Sequence, residues 1–194
     1  MHARAGRRAE EERVEAGFLT TKSRGMHIVL FWMTVILVVV LDQATKAGVG
    51  MITDAGPSVL IPGILNLTYV ENTGAAFSIG QGGGAFFVVV AVAFLIGSLY
   101  LVWKEKELPI QLVVSIGLVA GGGMGNMIDR VMQGFVTDFL SAAFIDFPVF
   151  NVADICVTVG IFVSVIGYWI WESRREREES GRVDSAPPDG LGHV

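Results

Sequence analysis

Positions 121–154 hold Asn126, Asp129, Arg130, Asp138, Asp146, Asn151 and Asp154, charged and amide-bearing residues from which a site could be built. They stand in GGGMGNMIDR (121–130), VTDF (136–139), FIDF (144–147) and FNVAD (150–154), beside long apolar runs. Charged groups next to an apolar membrane core are costly and are usually kept for function. Asp138 and Asp154 are the pair with the clearest chemistry. Two carboxyls facing one cavity cannot both ionise cheaply, so one keeps a proton near neutral pH. Their titrations then belong to the pair. Such a pair can hold a water, one carboxylate taking its proton while the other protonates a carbonyl oxygen under attack. That chemistry needs no metal, cofactor or covalent intermediate.

Simpler roles compete for the same residues. Asn151-x-x-Asp154 has the spacing of a helix cap with an acid at its third position, and Asn126-x-x-Asp129 shares it. Asp42 and Lys46 are four apart, which suits an ion pair along one helix. Asp129-Arg130 suits an interfacial pair, and Arg130 could also hold a lipid headgroup or a carbonyl. Asp146 reads as a solvated interfacial charge. Cys156, the one cysteine, reads as a packing residue, because no histidine is placed to activate it.

The elements that must position these groups are membrane spans. The 194 residues are 52% hydrophobic and only 17% charged, with mean hydropathy +0.58. A soluble domain carries about 25% charged residues. The pI near 5.2, with no basic face beside aromatics, argues against nucleic-acid binding. Four apolar stretches, at about 26–46, 85–103, 110–128 and 152–171, are long enough to cross about 30 Å of hydrocarbon. They define an all-α membrane domain over 26–171, between a polar tail (1–25) and a charged, then Pro/Gly-rich tail (172–194) expected to be disordered. LNLTYV (65–70) alternates as a short strand, and Gly56-Pro57 and Pro62-Gly63 mark turns around it. Twelve of the fourteen Lys and Arg lie in the tails or in the 104–107 turn. The positive-inside rule therefore puts both termini in the cytoplasm. Asp42, Asn72, Asn126, Asp129, Asp138 and Asp154 then converge on the outer face.

With these motifs the chain resembles the lipoprotein signal peptidases, also called signal peptidase II. The motifs run in order: LDQATK (41–46), NTGAAFS (72–78), GGGMGNMIDR, VTDF and FNVAD. The resemblance covers roughly 26–171. It implies a four-helix membrane aspartyl peptidase that removes the signal peptide from bacterial prolipoproteins, cutting before a diacylglyceryl-modified cysteine. It further implies that Asp138 and Asp154 are the catalytic pair. Asp42, Lys46, Asn72, Gly74, Asn126, Asp129, Arg130 and Asn151 would position the substrate and hold the site together. The expected setting is the bacterial cytoplasmic membrane, with the site near its outer face. The expected partners are the lipidated substrate and membrane lipid; the enzyme is expected to be monomeric and to need no cofactor. A transporter or a structural membrane protein is the alternative. Transporter carboxylates usually sit near the midplane and come with repeats, whereas these acids sit at one face.

Overall fold

The computed structural model describes residues 2–50, 56–74 and 84–185, with side chains described from Arg24 to Arg177. In chain order the elements are α1 (His2–Gly50), β1 (Ser58–Ile61), β2 (Leu65–Asn72), α2 (Gly84–Lys104), α3 (Ile110–Gln133), β3 (Val136–Ala142) and α4 (Val152–Ser185). Each helix contains a stretch long and apolar enough to cross a membrane: Arg24–Gly50, Gly84–Lys104, Ile110–Gln133 and Val152–Arg177. Large apolar side chains cover their outer faces, among them Met33, Phe86, Ile96, Phe162 and Trp169, all more than 60% exposed. Such a surface is stable only against lipid.

Helix α3 is the centre of the bundle and packs on α1, α2 and α4. Its glycines allow this. A Cβ at Gly122 would stand 2.5 Å from the Ala153 carbonyl oxygen, and one at Gly121 would stand 2.8 Å from the Val38 Cβ. Small residues let helix backbones approach closely where no water drives helices together. The buried apolar cluster lies among α1, α2 and α3, around Phe31, Val35, Val102, Leu112, Val113 and Ile116.

Three expectations change. First, the expected strand at 65–70 belongs to a three-stranded antiparallel sheet, order β1-β2-β3. Its third strand comes from the stretch read as a plain connection at 129–150. VTDFLSA is buried on both faces along most of its length, so it lacks the alternation that marks a half-exposed strand. The β1–β2 turn is type II, with Pro62 then Gly63 at φ +73° and Ile64 N donating to Ile61 O at 3.0 Å.

Second, α3 runs five residues beyond its expected end to Gln133, closed by Gly134 in the left-handed region (φ 87°). Asn126 and Asp129 therefore lie inside the helix and form no cap.

Third, the tails do not begin where the spans end. Helix α1 starts at His2, and α4 continues to Ser185 through residues expected to be disordered. Glu and Arg are strong helix formers. Extending an existing helix costs no new nucleus. Positions 186–194, like 75–78 of the NTGAAFS motif, lie outside the described residues.

Candidate active site

The last turns of the α1 span carry Asp42, Gln43 and Lys46, with Asp42 and Lys46 both buried. The last turns of α3 carry Asn126, Asp129 and Arg130. The expected Asp42–Lys46 ion pair is present at 2.8 Å, and Lys46 reaches Asp129 at the same distance. A buried ammonium thus sits between two buried carboxylates, in the place a cation could take. Gly125 makes room for it: a Cβ there would stand 2.5 Å from Asp42 Oδ2.

Each of these carboxylates also holds backbone from another element. Asp42 Oδ1 accepts the Ala153 N–H at 3.0 Å, in the first turn of α4. Asp129 Oδ2 accepts the Thr137 N–H at 3.0 Å, on β3. The residues that follow those two amides are Asp154 and Asp138. One cluster therefore clamps both the helix and the strand that carry the candidate catalytic pair. Gln43, not singled out from the sequence, completes it: Nε2 donates to Asp129 Oδ1 (2.9 Å), Asp42 Oδ2 (3.2 Å) and the Gly125 carbonyl (3.2 Å). Its place three residues before Lys46, on the same helix face, was the available signal.

Asp138 sits on β3 opposite Val70 of β2, and is 2% exposed. Its Oδ2 accepts from Asn72 Nδ2 at 2.9 Å. Asn72 lies two residues along β2 from Val70, the diagonal neighbour on the same face. Phe150 pairs with β3, exchanging backbone bonds with Leu140 at 2.8 and 3.0 Å, and this brings Asn151 beside the strand. Asn151 Nδ2 donates to Asp138 Oδ1 at 2.7 Å.

Asn151 also caps α4 as expected. Its Oδ1 accepts the Asp154 N–H (3.0 Å), and Asp154 Oδ2 accepts the Asn151 N–H (3.1 Å), a reciprocal capping box. Asp154 Oδ1 is left to accept from Asn126 Nδ2 at 2.8 Å. Asn126 Oδ1 in turn accepts from Lys46 Nζ (2.9 Å) and Asn151 Nδ2 (3.0 Å). Asn151 thus touches both aspartates at once. The capping and catalytic readings of Asp154 are compatible, because different oxygens serve each.

Burial pushes the Asp138 carboxyl from 3.8 to about 6, and the nearby Asp154 charge adds to that rise. The amides of Asn72 and Asn151 and the Lys46 charge pull the other way.

Arg130 holds a carbonyl, one of the roles considered for it: a terminal guanidinium nitrogen donates to Gly74 O at 2.8 Å. Its guanidinium lies 4.8 Å from the Phe87 ring centre. Its buried Nε has no partner among the described residues. Among the described residues no three His, Cys, Asp or Glu side chains are grouped to hold a metal ion.

Two cavities meet here. One, about 440 Å³, lies between β3 and α4 and is lined by both Asp138 and Asp154. The other, about 1160 Å³, is a long apolar groove between α2 and α4 with α3 as its floor. Asn126, Arg130 and Asp154 line both. The structure therefore brings together all ten residues expected at the site.

Residues 34–170 match the family described as signal peptidase (SPase) II. The chain belongs to the signal peptidase II family. It is similar to the lipoprotein signal peptidase of Streptococcus pyogenes serotype M5 (strain Manfredo), 41% identical over 141 residues, which is 72% of this chain and 93% of that one. The lipoprotein signal peptidase of Streptococcus thermophilus (strain CNRZ 1066) is 42% identical over 121 residues, 62% of this chain and 74% of that one. Two solved bacterial membrane enzymes share the fold. One, solved in meso at 2.3 Å, has TM-score 0.66 and 30% identity, over 84% of this chain and 93% of that one. The other, at 1.9 Å, has TM-score 0.65 and 33% identity, over 71% and 91%. As a signal peptidase II, the chain is a membrane peptidase, with four helices able to span and a small three-stranded sheet.

Proposed function

We propose that this peptidase removes the signal peptide from diacylglyceryl-modified prolipoproteins, cutting before the lipidated cysteine. Asp138 and Asp154 activate the attacking water. The observation that carries this reading is that both aspartates line one cavity and are joined through a single residue, Asn151. Twelve of the fourteen basic residues lie in the tails and the 104–107 turn, which supports cytoplasmic termini and a site at the outer face of the cytoplasmic membrane.

Asp154 stands at a helix N-terminus and accepts two hydrogen bonds. Asp138, buried and pushed up to about 6, holds the shared proton. In this scheme Asp154 takes a proton from water as the oxygen attacks the scissile carbonyl. Asp138 gives its proton to the carbonyl oxygen. The tetrahedral intermediate then collapses as Asp154 returns a proton to the leaving nitrogen and Asp138 recovers its own. The Arg130 Nε, without a partner among the described residues, is a donor for a substrate carbonyl in the same cavity. The apolar groove accepts the signal helix, and the substrate's acyl chains stay in lipid.

The test is cleavage of a diacylglyceryl-modified prolipoprotein by purified enzyme in lipid. Asp138→Asn and Asp154→Asn are each expected to abolish cleavage while leaving the fold intact, and a chelator is expected to change nothing. Near-normal cleavage by either variant would reduce that aspartate to a packing or capping role.

A further inference from the structure

The groove that begins at Asp154 ends among charged side chains that the hydrolysis does not use. Its far end is lined by Glu105 from the α2–α3 turn and by Trp171, Glu172 and Arg175 from α4. Between Asp154 and Glu172, α4 advances about 27 Å at the usual helical rise, close to the roughly 30 Å of a hydrocarbon core. The wall between the two ends is apolar, and the small residues Ala91, Gly97 and Gly123 keep it open.

Both glutamates are half-buried in this rim. Neither forms an ion pair among the described residues. Three cations at this end of the bundle lie against aromatic rings. Arg175 stacks on Trp171 at 4.9 Å, Lys104 lies 5.9 Å from the Tyr100 ring centre, and Arg24 lies 5.4 Å from that of Trp103. The groove end therefore presents two carboxylates to whatever enters it, with Arg175, the cation that shares this lining, on the Trp171 face.

A signal peptide has complementary chemistry: a positively charged segment followed by 7–15 apolar residues, roughly, and then the cleavage site. If its cut bond lies at Asp154 and its apolar segment runs as a helix along the groove, the residue about 18 positions upstream reaches the level of Glu172. That is where the basic segment falls. We infer that Glu105 and Glu172 hold the basic amino-terminal segment of the signal peptide, at the end of the α2–α4 groove opposite the aspartate pair. This rests on the peptidase reading above and adds a second recognition point to it. The enzyme then reads its substrate at both membrane faces, the lipidated cleavage site at one and the positive charge at the other.

The test is a charge swap. Two lipidated prolipoprotein substrates are compared, one with a Lys/Arg amino-terminal segment and one with those residues replaced by Glu. Wild-type enzyme, Glu105→Gln/Glu172→Gln and Glu105→Lys/Glu172→Lys are reconstituted in zwitterionic lipid, which removes the pull of anionic headgroups. Wild type is expected to prefer the basic substrate by about tenfold in kcat/KM, the scale of two partly exposed ion pairs. The preference should appear in KM, with kcat little changed, and should shrink in high salt. The Gln variant is expected to lose the preference and the Lys variant to reverse it. Equal preference in all three enzymes would overturn the assignment. Failure of wild type to cleave either substrate would instead overturn the peptidase reading, and this assignment with it.

Discussion

The Asp42 carboxylate accepts the backbone N–H of Ala153 at 3.0 Å, across 111 residues of sequence, and so ties the end of the α1 span to the first turn of α4. Asp129 makes the matching tie to Thr137 on β3, and Lys46 lies 2.8 Å from both acids. A buried cation that pairs with neither Asp138 nor Asp154 therefore links the two elements that carry them.

Removing that cation leaves two buried carboxylates facing one another. Lys46→Ala is expected to destabilise the fold by about 3–5 kcal/mol, the usual cost of leaving a buried charge unpaired. It is also expected to abolish cleavage. Thermal unfolding in detergent, run beside the cleavage assay, measures both. Wild-type stability in Lys46→Ala would show that the cluster is not a clamp.

Gly125→Ala tests the same clamp more gently. The added methyl meets Asp42 Oδ2, so the carboxylate must move and its bond to Ala153 weakens. Loss of a buried charge-assisted bond is worth about 1–3 kcal/mol, or about 10- to 100-fold in rate if geometry carries it. Gly97→Ala is the control, since a Cβ there meets nothing within 4 Å. Steady-state kinetics of the two variants should separate clearly, with Gly97→Ala near wild type.

Asp138 also predicts a pH dependence. Its carboxyl lies at about 6 in the fold, above its ordinary 3.8, so the native state binds this proton more tightly than the unfolded chain. Its contribution to stability is full below about 3.8 and is lost as pH rises through about 6. Asp138→Asn removes the titration. Relative to wild type, the variant should gain stability between pH 4 and pH 7, read as Tm across pH in detergent. A difference independent of pH would mean that Asp138 does not hold the raised value. In wild type, kcat/KM should fall as the pair loses its shared proton on the alkaline side.

The groove can be blocked without touching either aspartate. Gly97 lines it, and its Cβ position is open. Gly97→Phe is expected to leave the Tm unchanged and to lower kcat/KM at least about tenfold, because a side chain of this size occupies the space of the signal helix. Unchanged cleavage by the Phe variant would place the signal helix elsewhere.

Sequence alone determined the membrane architecture and the identity of the polar set. Apolar runs of bilayer length leave a chain few options, because backbone polar groups in lipid must be satisfied within helices. Positions such as Asp42, Asn126 and Asp154 stand out because polar residues are costly there. The Asn151-x-x-Asp154 cap and the Asp42–Lys46 pair were legible for a related reason: both depend on residues three or four apart, which one helix turn brings together.

What tertiary structure decided involves partners far apart in the chain. That Asp138 lies on a strand follows from pairing with β2 and with Phe150, and a strand buried on both faces leaves no alternation to read. Gln43 looked like one more polar residue at a helix end until α3 packed against it. The link from Lys46 to the elements that carry Asp138 and Asp154, and the groove joining Asp154 to Glu105 and Glu172, exist only once α3 lies between α1, α2 and α4. Local spacing specifies caps and intrahelical pairs, whereas a contact spanning some eighty residues depends on how whole helices pack, and that packing rests on glycines whose purpose shows only when the facing backbone is in place.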